Sequence, residues 1–160
     1  MEWREVVEHP SLKDLPFKIE TNEWGKIVMT PATGAHAGYQ ALIVEWFAKL
    51  KGKNSRTFAE CPIQTTKGVR VADVAWASET FIKKHGSHVL VFAQAPDIVV
   101  EVESPSNSFQ EMEEKKSLYF EAGAKEVWIC DEQGHMKYFN PRGKLEESVL
   151  FGDFPEHIEF

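Results

Sequence analysis

Phe17-Lys18-Ile19-Glu20-Thr21 alternates apolar and polar side chains, the period of a strand with one buried face. Asn22-Glu23-Trp24-Gly25 supplies a turn, and residues 26–29 read as the returning strand. After a break at 31–34 the period lengthens. Ala35, Tyr39, Leu42, Ile43, Trp46, Phe47 and Leu50 recur at helical spacing and predict a helix over 35–51. Thr33 is placed to cap it and Gly52 to end it, with Lys49 and Lys51 in the last turn, where cations suit the helix dipole. Two strands, 56–64 and 69–77, are predicted around a turn at 65–68. Ser78 can cap a short helix to about residue 84, and 89–93 reads as a strand or an irregular apolar segment. Ile98-Val99-Val100-Glu101-Val102 is β-branched and apolar, as in a central strand. Ser108-Phe109-Gln110-Glu111 has the capping-box pattern and opens a helix to about residue 122, with Gly123 as its stop. Strands follow at 127–130, 136–139 and 144–151, and residues 1–16 form a polar lead-in. This order predicts an α/β domain, a mixed β-sheet flanked by helices.

Composition narrows the class. The chain has 160 residues, 42% hydrophobic and 27% charged, with 11 Phe, 5 Trp and 3 Tyr. That is one globular domain over 1–160 with ample core material, and it excludes a disordered chain. A net charge of −7 excludes holding nucleic acid by bulk charge, though not by a local basic groove. Local basic groups exist at Lys49, Lys51, Lys53 and Arg56, at Lys83, Lys84, His85 and His88, and at Lys67 with Arg70. Each also fits an ordinary solvated patch. No helix-turn-helix or zinc finger is visible. Cys61 and Cys130 lack metal-type spacing and read as reduced, buried thiols. The N-terminus lacks signal-peptide character. The longest apolar stretch, 89–102, is interrupted by Gln94, Pro96 and Asp97 and is too short to cross a membrane. A cytoplasmic protein without a membrane segment is expected.

Three carboxylates stand where carboxylates are expensive. Asp73 lies inside Val69-Arg70-Val71-Ala72-Asp73-Val74-Ala75-Trp76, and Glu101 and Glu103 end the run that starts at Ile98. Residues 101 and 103 of a strand share a face, and Asp73 joins Glu101 if their strands are neighbours. Clustered acids in a partly buried site need a cation, and a hard divalent ion such as Mg²⁺ takes carboxylate oxygens while keeping waters. The plainer alternative is a set of strand-end acids facing solvent.

At this point the chain resembles a known family: the restriction-endonuclease-like proteins greatly expanded in cyanobacteria, within the PD-(D/E)XK nuclease superfamily. Trp24-Gly25-Lys26-Ile27-Val28-Met29-Thr30-Pro31 resembles its G-x-x-x-M-S-P, and His36 follows at its histidine position. Val71-Ala72-Asp73-Val74 resembles P-D-V, with Ala72 replacing the proline. Pro96-Asp97-Ile98-Val99-Val100-Glu101-Val102-Glu103-Ser104-Pro105-Ser106 is close to P-D-L-V-V-E-V-x-S-P-S. Lys115 through Tyr119 with Ala122-Gly123 resembles K-x-x-x-Y-x-x-A-G, and Glu126-Val127-Trp128-Ile129-Cys130-Asp131 resembles E-Y-W-x-V-D.

The resemblance implies a restriction-endonuclease-like core and metal-dependent phosphodiester hydrolysis. Asp73 and Glu101 would ligate Mg²⁺, for which Mn²⁺ can substitute. Glu103 stands at the superfamily's lysine position, and the lysine comes instead from the next helix, at Lys115. Lys115 shares a helix face with Met112 and Tyr119 and can send its ammonium toward the carboxylates, whereas its rival Lys116 falls nearer the Phe109–Phe120 stripe. His36 is a site residue or a core-edge histidine, and Glu20 and Glu45 are further acids that could approach the metal. The expected function is an Mg²⁺-dependent endonuclease acting on DNA as a homodimer. The alternatives are a non-catalytic nucleic-acid- or protein-binding module on the same fold and, more remotely, paired carboxylates acting on a glycosidic bond.

Overall fold

A computed structural model describes residues 1–50 and 54–160. The polar lead-in carries a short helix, α1 (Trp3–Glu8), which buries Val6. β1 (Phe17–Thr21) and β2 (Ile27–Pro31) form a separate two-stranded antiparallel sheet. α2 (Gly34–Leu50) follows, its start capped by Thr33, whose Oγ1 accepts the His36 N–H at 3.1 Å. The expected helix stop at Gly52, and Lys51 and Lys53 of the first basic group, lie outside the described residues.

β3 (Arg56–Thr65), β4 (Gly68–Ala77), β5 (Ile98–Val102), β6 (Glu126–Cys130), β7 (Met136–Asn140) and β8 (Gly143–Leu145) form the main sheet in that spatial order. β5 and β6 pair parallel and the other neighbours antiparallel, which makes this the mixed sheet expected. The parallel step needs a crossover, supplied by α4 (Phe109–Glu121). Ser108 caps α4 by accepting the Glu111 N–H at 3.1 Å. A short helix, α3 (Glu79–His85), follows β4, capped by Ser78. Residues 89–93 are irregular apart from a single bridge between Phe92 and Ile63.

Every residue of β5 and β6 is buried, because helices cover both faces. On one face, Tyr39, Ile43 and Phe47 of α2 pack on Val74, Ile98, Val100 and Trp128, joined by Phe151, Phe154 and Ile158 of the C-terminal segment. On the other, Tyr119 of α4 packs with Ala75, Val99 and Val127. Cys61 and Cys130 are free and buried.

The expected last strand at 144–151 is cut to three residues. The buried Glu126 carboxylate is the reason: Oε2 accepts the N–H groups of both Val149 and Leu150 at 3.0 Å, and Oε1 accepts Ser148 Oγ–H and Trp128 Nε1–H. Backbone donors that would extend the ladder are turned onto a side chain instead.

β1 also departs from the amphipathic expectation. Its polar Glu20 and Thr21 are buried while Phe17 is 42% exposed. The strand lies on β4, where Thr21 Oγ1 accepts the Val69 N–H at 2.9 Å and Glu20 Oε2 accepts the Val71 N–H at 2.8 Å. Arg70 also donates to the Thr21 carbonyl. Gly68, at φ +87°, leaves no room for a Cβ beside the Thr21 and Asn22 carbonyls.

Candidate active site

The β4–β5 ladder runs over Trp76↔Ile98, Ala75↔Val99 and Val74↔Val100 and ends there. The next residues on the two strands are Asp73 and Glu101. Asp73 also falls in a gap of the β3–β4 register, opposite Glu60, which adopts φ +54°. Where the strands part, the side chain replaces the ladder: Asp73 Oδ2 accepts the Val102 N–H at 2.7 Å. Local loss of pairing is what allows two buried acids to sit side by side in a sheet.

Each acid has one oxygen tied and one aimed at a cation. Asp73 Oδ2 also accepts from His36 Nε2–H at 3.1 Å, while Oδ1 faces Lys18 Nζ at 2.7 Å in an ion pair. Glu101 Oε1 accepts the Tyr119 O–H at 2.6 Å, while Oε2 lies 3.6 Å from both Lys18 Nζ and Lys115 Nζ. Lys115 is also 3.6 Å from Glu20 Oε1. Asp73, Glu101 and Glu20 are buried, and the Lys18 side chain is 11% exposed. The group opens on a cleft of about 710 Å³ whose walls include Phe17, His36, Gln40, Glu60 and Asn107.

Burial and charge compete at these groups. Burial raises the Asp73 carboxyl, but Lys18 and His36 outweigh it and hold the group well below the usual carboxylate range. At Glu101 burial wins over Lys115 and Lys18, and its pKa is pushed up to about 7. Burial disfavours the Lys18 ammonium, yet Glu101, Asp73 and Glu20 together hold its pKa well above the ordinary value. The hydrogen bond to Asp73 raises His36. Burial, then Glu101, raises Tyr119.

The structure thus brings together Asp73, Glu101, Lys115, His36 and Glu20. It does not bring Glu103 or Glu45. β5 ends at Val102 and a turn follows at Pro105-Ser106; the Glu103 N–H still donates to the Cys130 carbonyl at 2.8 Å, but its side chain is not in contact with Asp73 or Glu101. Glu103 instead faces Lys137, Asp131 and Glu132. Glu45 is exposed on α2. Lys116 turns away, 2.9 Å from Glu113 and 3.9 Å from the Phe139 ring centroid. Lys18 is not among the residues that the sequence singles out. Its only signal was a shared strand face with Glu20, which reads as a solvated lysine until the hairpin is seen lying on β4.

Among the described residues no three His, Cys, Asp or Glu side chains form a ready-made metal cage. The free oxygens of Asp73 and Glu101 nevertheless converge on one cation. Two carboxylates with water completing the shell is how Mg²⁺ is commonly held, so the donor set fits that ion. The tied second oxygens orient both groups.

The family model of Uma2, described as "Putative restriction endonuclease", matches residues 15–156. The chain belongs to the Uma2 family. A solved structure described as a "putative nuclease belonging to DUF820", from Anabaena variabilis, is similar to this Uma2 chain with a TM-score of 0.71 at 21% identity, covering 89% of this chain and 80% of that one. The two share the fold. No curated protein matches the sequence. No helix among the described residues is long and apolar enough to cross a membrane.

Proposed function

We propose that the protein is a divalent-metal-dependent endonuclease that hydrolyses DNA phosphodiester bonds. One observation carries this reading. Asp73 Oδ1 and Glu101 Oε2 converge on a single cation, with their other oxygens fixed by Val102, His36 and Tyr119. Membership of the Uma2 family supports it.

Asp73 and Glu101 would hold Mg²⁺ or Mn²⁺, which supplies Lewis-acid polarisation of the phosphate and acidifies a coordinated water. The chain's own groups do the rest. The Val102 N–H and His36 leave Asp73 one orientation, and Tyr119 does the same for Glu101. Lys115, 3.6 Å from Glu101, sits at the edge of the cleft, where its ammonium orients the attacking water and offsets charge developing on phosphorus. Attack is in line and the 3′ oxygen leaves. Two copies about a two-fold axis would place two such clefts on a palindromic duplex.

Plasmid nicking in Mg²⁺ or Mn²⁺ tests the proposal. Asp73→Ala and Lys115→Ala are each expected to lower the rate roughly 10²-fold or more. Equal trace cleavage by wild type and both variants would mean contamination and would remove the reading.

A further inference from the structure

Lys18 is unusual among the cations of the site. Lys115 reaches Glu20 and Glu101, and His36 reaches Asp73. Among the described residues, Lys18 is the one cation that contacts both proposed metal ligands, at 2.7 Å from Asp73 Oδ1 and 3.6 Å from Glu101 Oε2. These are the same two oxygens left free by Val102, His36 and Tyr119. A divalent ion held by this pair would have to stand where the ammonium now stands, and two cations cannot share that point.

We infer that Lys18 is the site's resident counter-cation, occupying the divalent-ion position between Asp73 and Glu101 in the metal-free protein and displaced from it into the cleft when metal binds. The inference rests on the metal reading above and adds an internal competitor to it. Three acids packed together need positive charge beside them; Lys115 faces Glu20 and Glu101, and Lys18 adds the ammonium that faces Asp73 Oδ1 when no divalent ion is bound.

The fold gives it somewhere to go. Lys18 lines the 710 Å³ cleft. β1 is fixed to β4 through Glu20 and Thr21, while Phe17 and Lys18 lie at the cleft end of the strand. A side chain with four methylenes can leave the carboxylates without moving that anchor. Once in the cleft, the ammonium faces the space a scissile phosphate would fill.

Two measurements on the full chain test this. The first is calorimetric titration with Mn²⁺. Lys18→Met is expected to bind the ion about tenfold or more tightly than wild type, because the competing charge is gone. The variant should also melt lower in EDTA and recover more on adding Mn²⁺. The second uses wild type alone, so it does not depend on the variant folding. Reductive methylation read by mass spectrometry should find Lys18 protected in EDTA and reactive in Mn²⁺. Unchanged or weaker Mn²⁺ affinity in Lys18→Met, or Lys18 reactivity that Mn²⁺ leaves unchanged, would overturn the inference while the metal site stands. Absence of Mn²⁺ binding in both proteins would overturn the metal reading along with it.

Discussion

Glu101 is the residue at which folding and function pull in opposite directions. Its pKa rises from 4.5 to about 7, because burial outweighs two nearby lysines. A carboxyl raised on folding costs stability as pH increases: below pH 4.5 both states are protonated and the group is neutral in its effect. Between 4.5 and 7 the unfolded chain ionises and the folded one does not, and the penalty grows to roughly 3 kcal/mol. Glu101→Gln does not titrate. In EDTA, its stability relative to wild type should therefore improve by about that amount from pH 4.5 to 7, measured by urea unfolding. A difference flat with pH would mean that folding leaves the Glu101 pKa at its ordinary value. Tyr119→Phe removes the 2.6 Å bond to Glu101 and should cost about 2 kcal/mol, measured by the same unfolding. At this scale Asp73 and Glu101 stand out in the sequence as acids within β-branched runs, whereas Lys115 is singled out by the family resemblance and its helix face only permits the role. Lys18 is marked by neither.

At the scale of elements, two side chains do work that backbone pairing does elsewhere. Asp73 takes the Val102 N–H and holds β4 and β5 together after their ladder ends. Glu126 takes two backbone and two side-chain donors and latches residues 148–150 to the base of β6. Glu126→Ala should leave these donors unsatisfied and cost about 3 kcal/mol. Hydrogen exchange would then accelerate at the Val149 and Leu150 amides and leave the β5–β6 ladder protected. Elements with strong periodicity or clear caps were legible: α2 with Thr33, α3 with Ser78, α4 with Ser108, and the runs of β4, β5 and β6. The short last strand was not, since residues 144–151 alternate like a strand and only the Glu126 carboxylate diverts them. The hairpin β1–β2 was legible as a hairpin but not in its orientation, which puts Glu20 inward and Phe17 outward.

For the whole molecule, the two-layer core and the charge set the terms. Phe47 stacks on Trp128 at 5.2 Å and meets Phe151 and Phe154 edge-on or tilted, which ties α2 and the C-terminal segment to the sheet. Phe47→Ala should cost about 3–5 kcal/mol in urea unfolding. The net charge of −7 works against any polyanion, so on the proposed endonuclease reading DNA is held by a few local contacts. Log affinity against log salt should then fall with a slope no steeper than about −4, measured by fluorescence anisotropy with a duplex in Ca²⁺.

The sequence by itself determined the layer architecture and the existence of most elements, because period and caps are local properties. Only the tertiary structure decided which charges meet. A separate hairpin carries Lys18 and Glu20 onto β4, with Glu20 meeting Val71 from 51 residues away in the chain, and β5 stops one residue short of Glu103. Neither the hairpin's docking nor the end of the ladder is written in any single segment, since both depend on how distant strands pair.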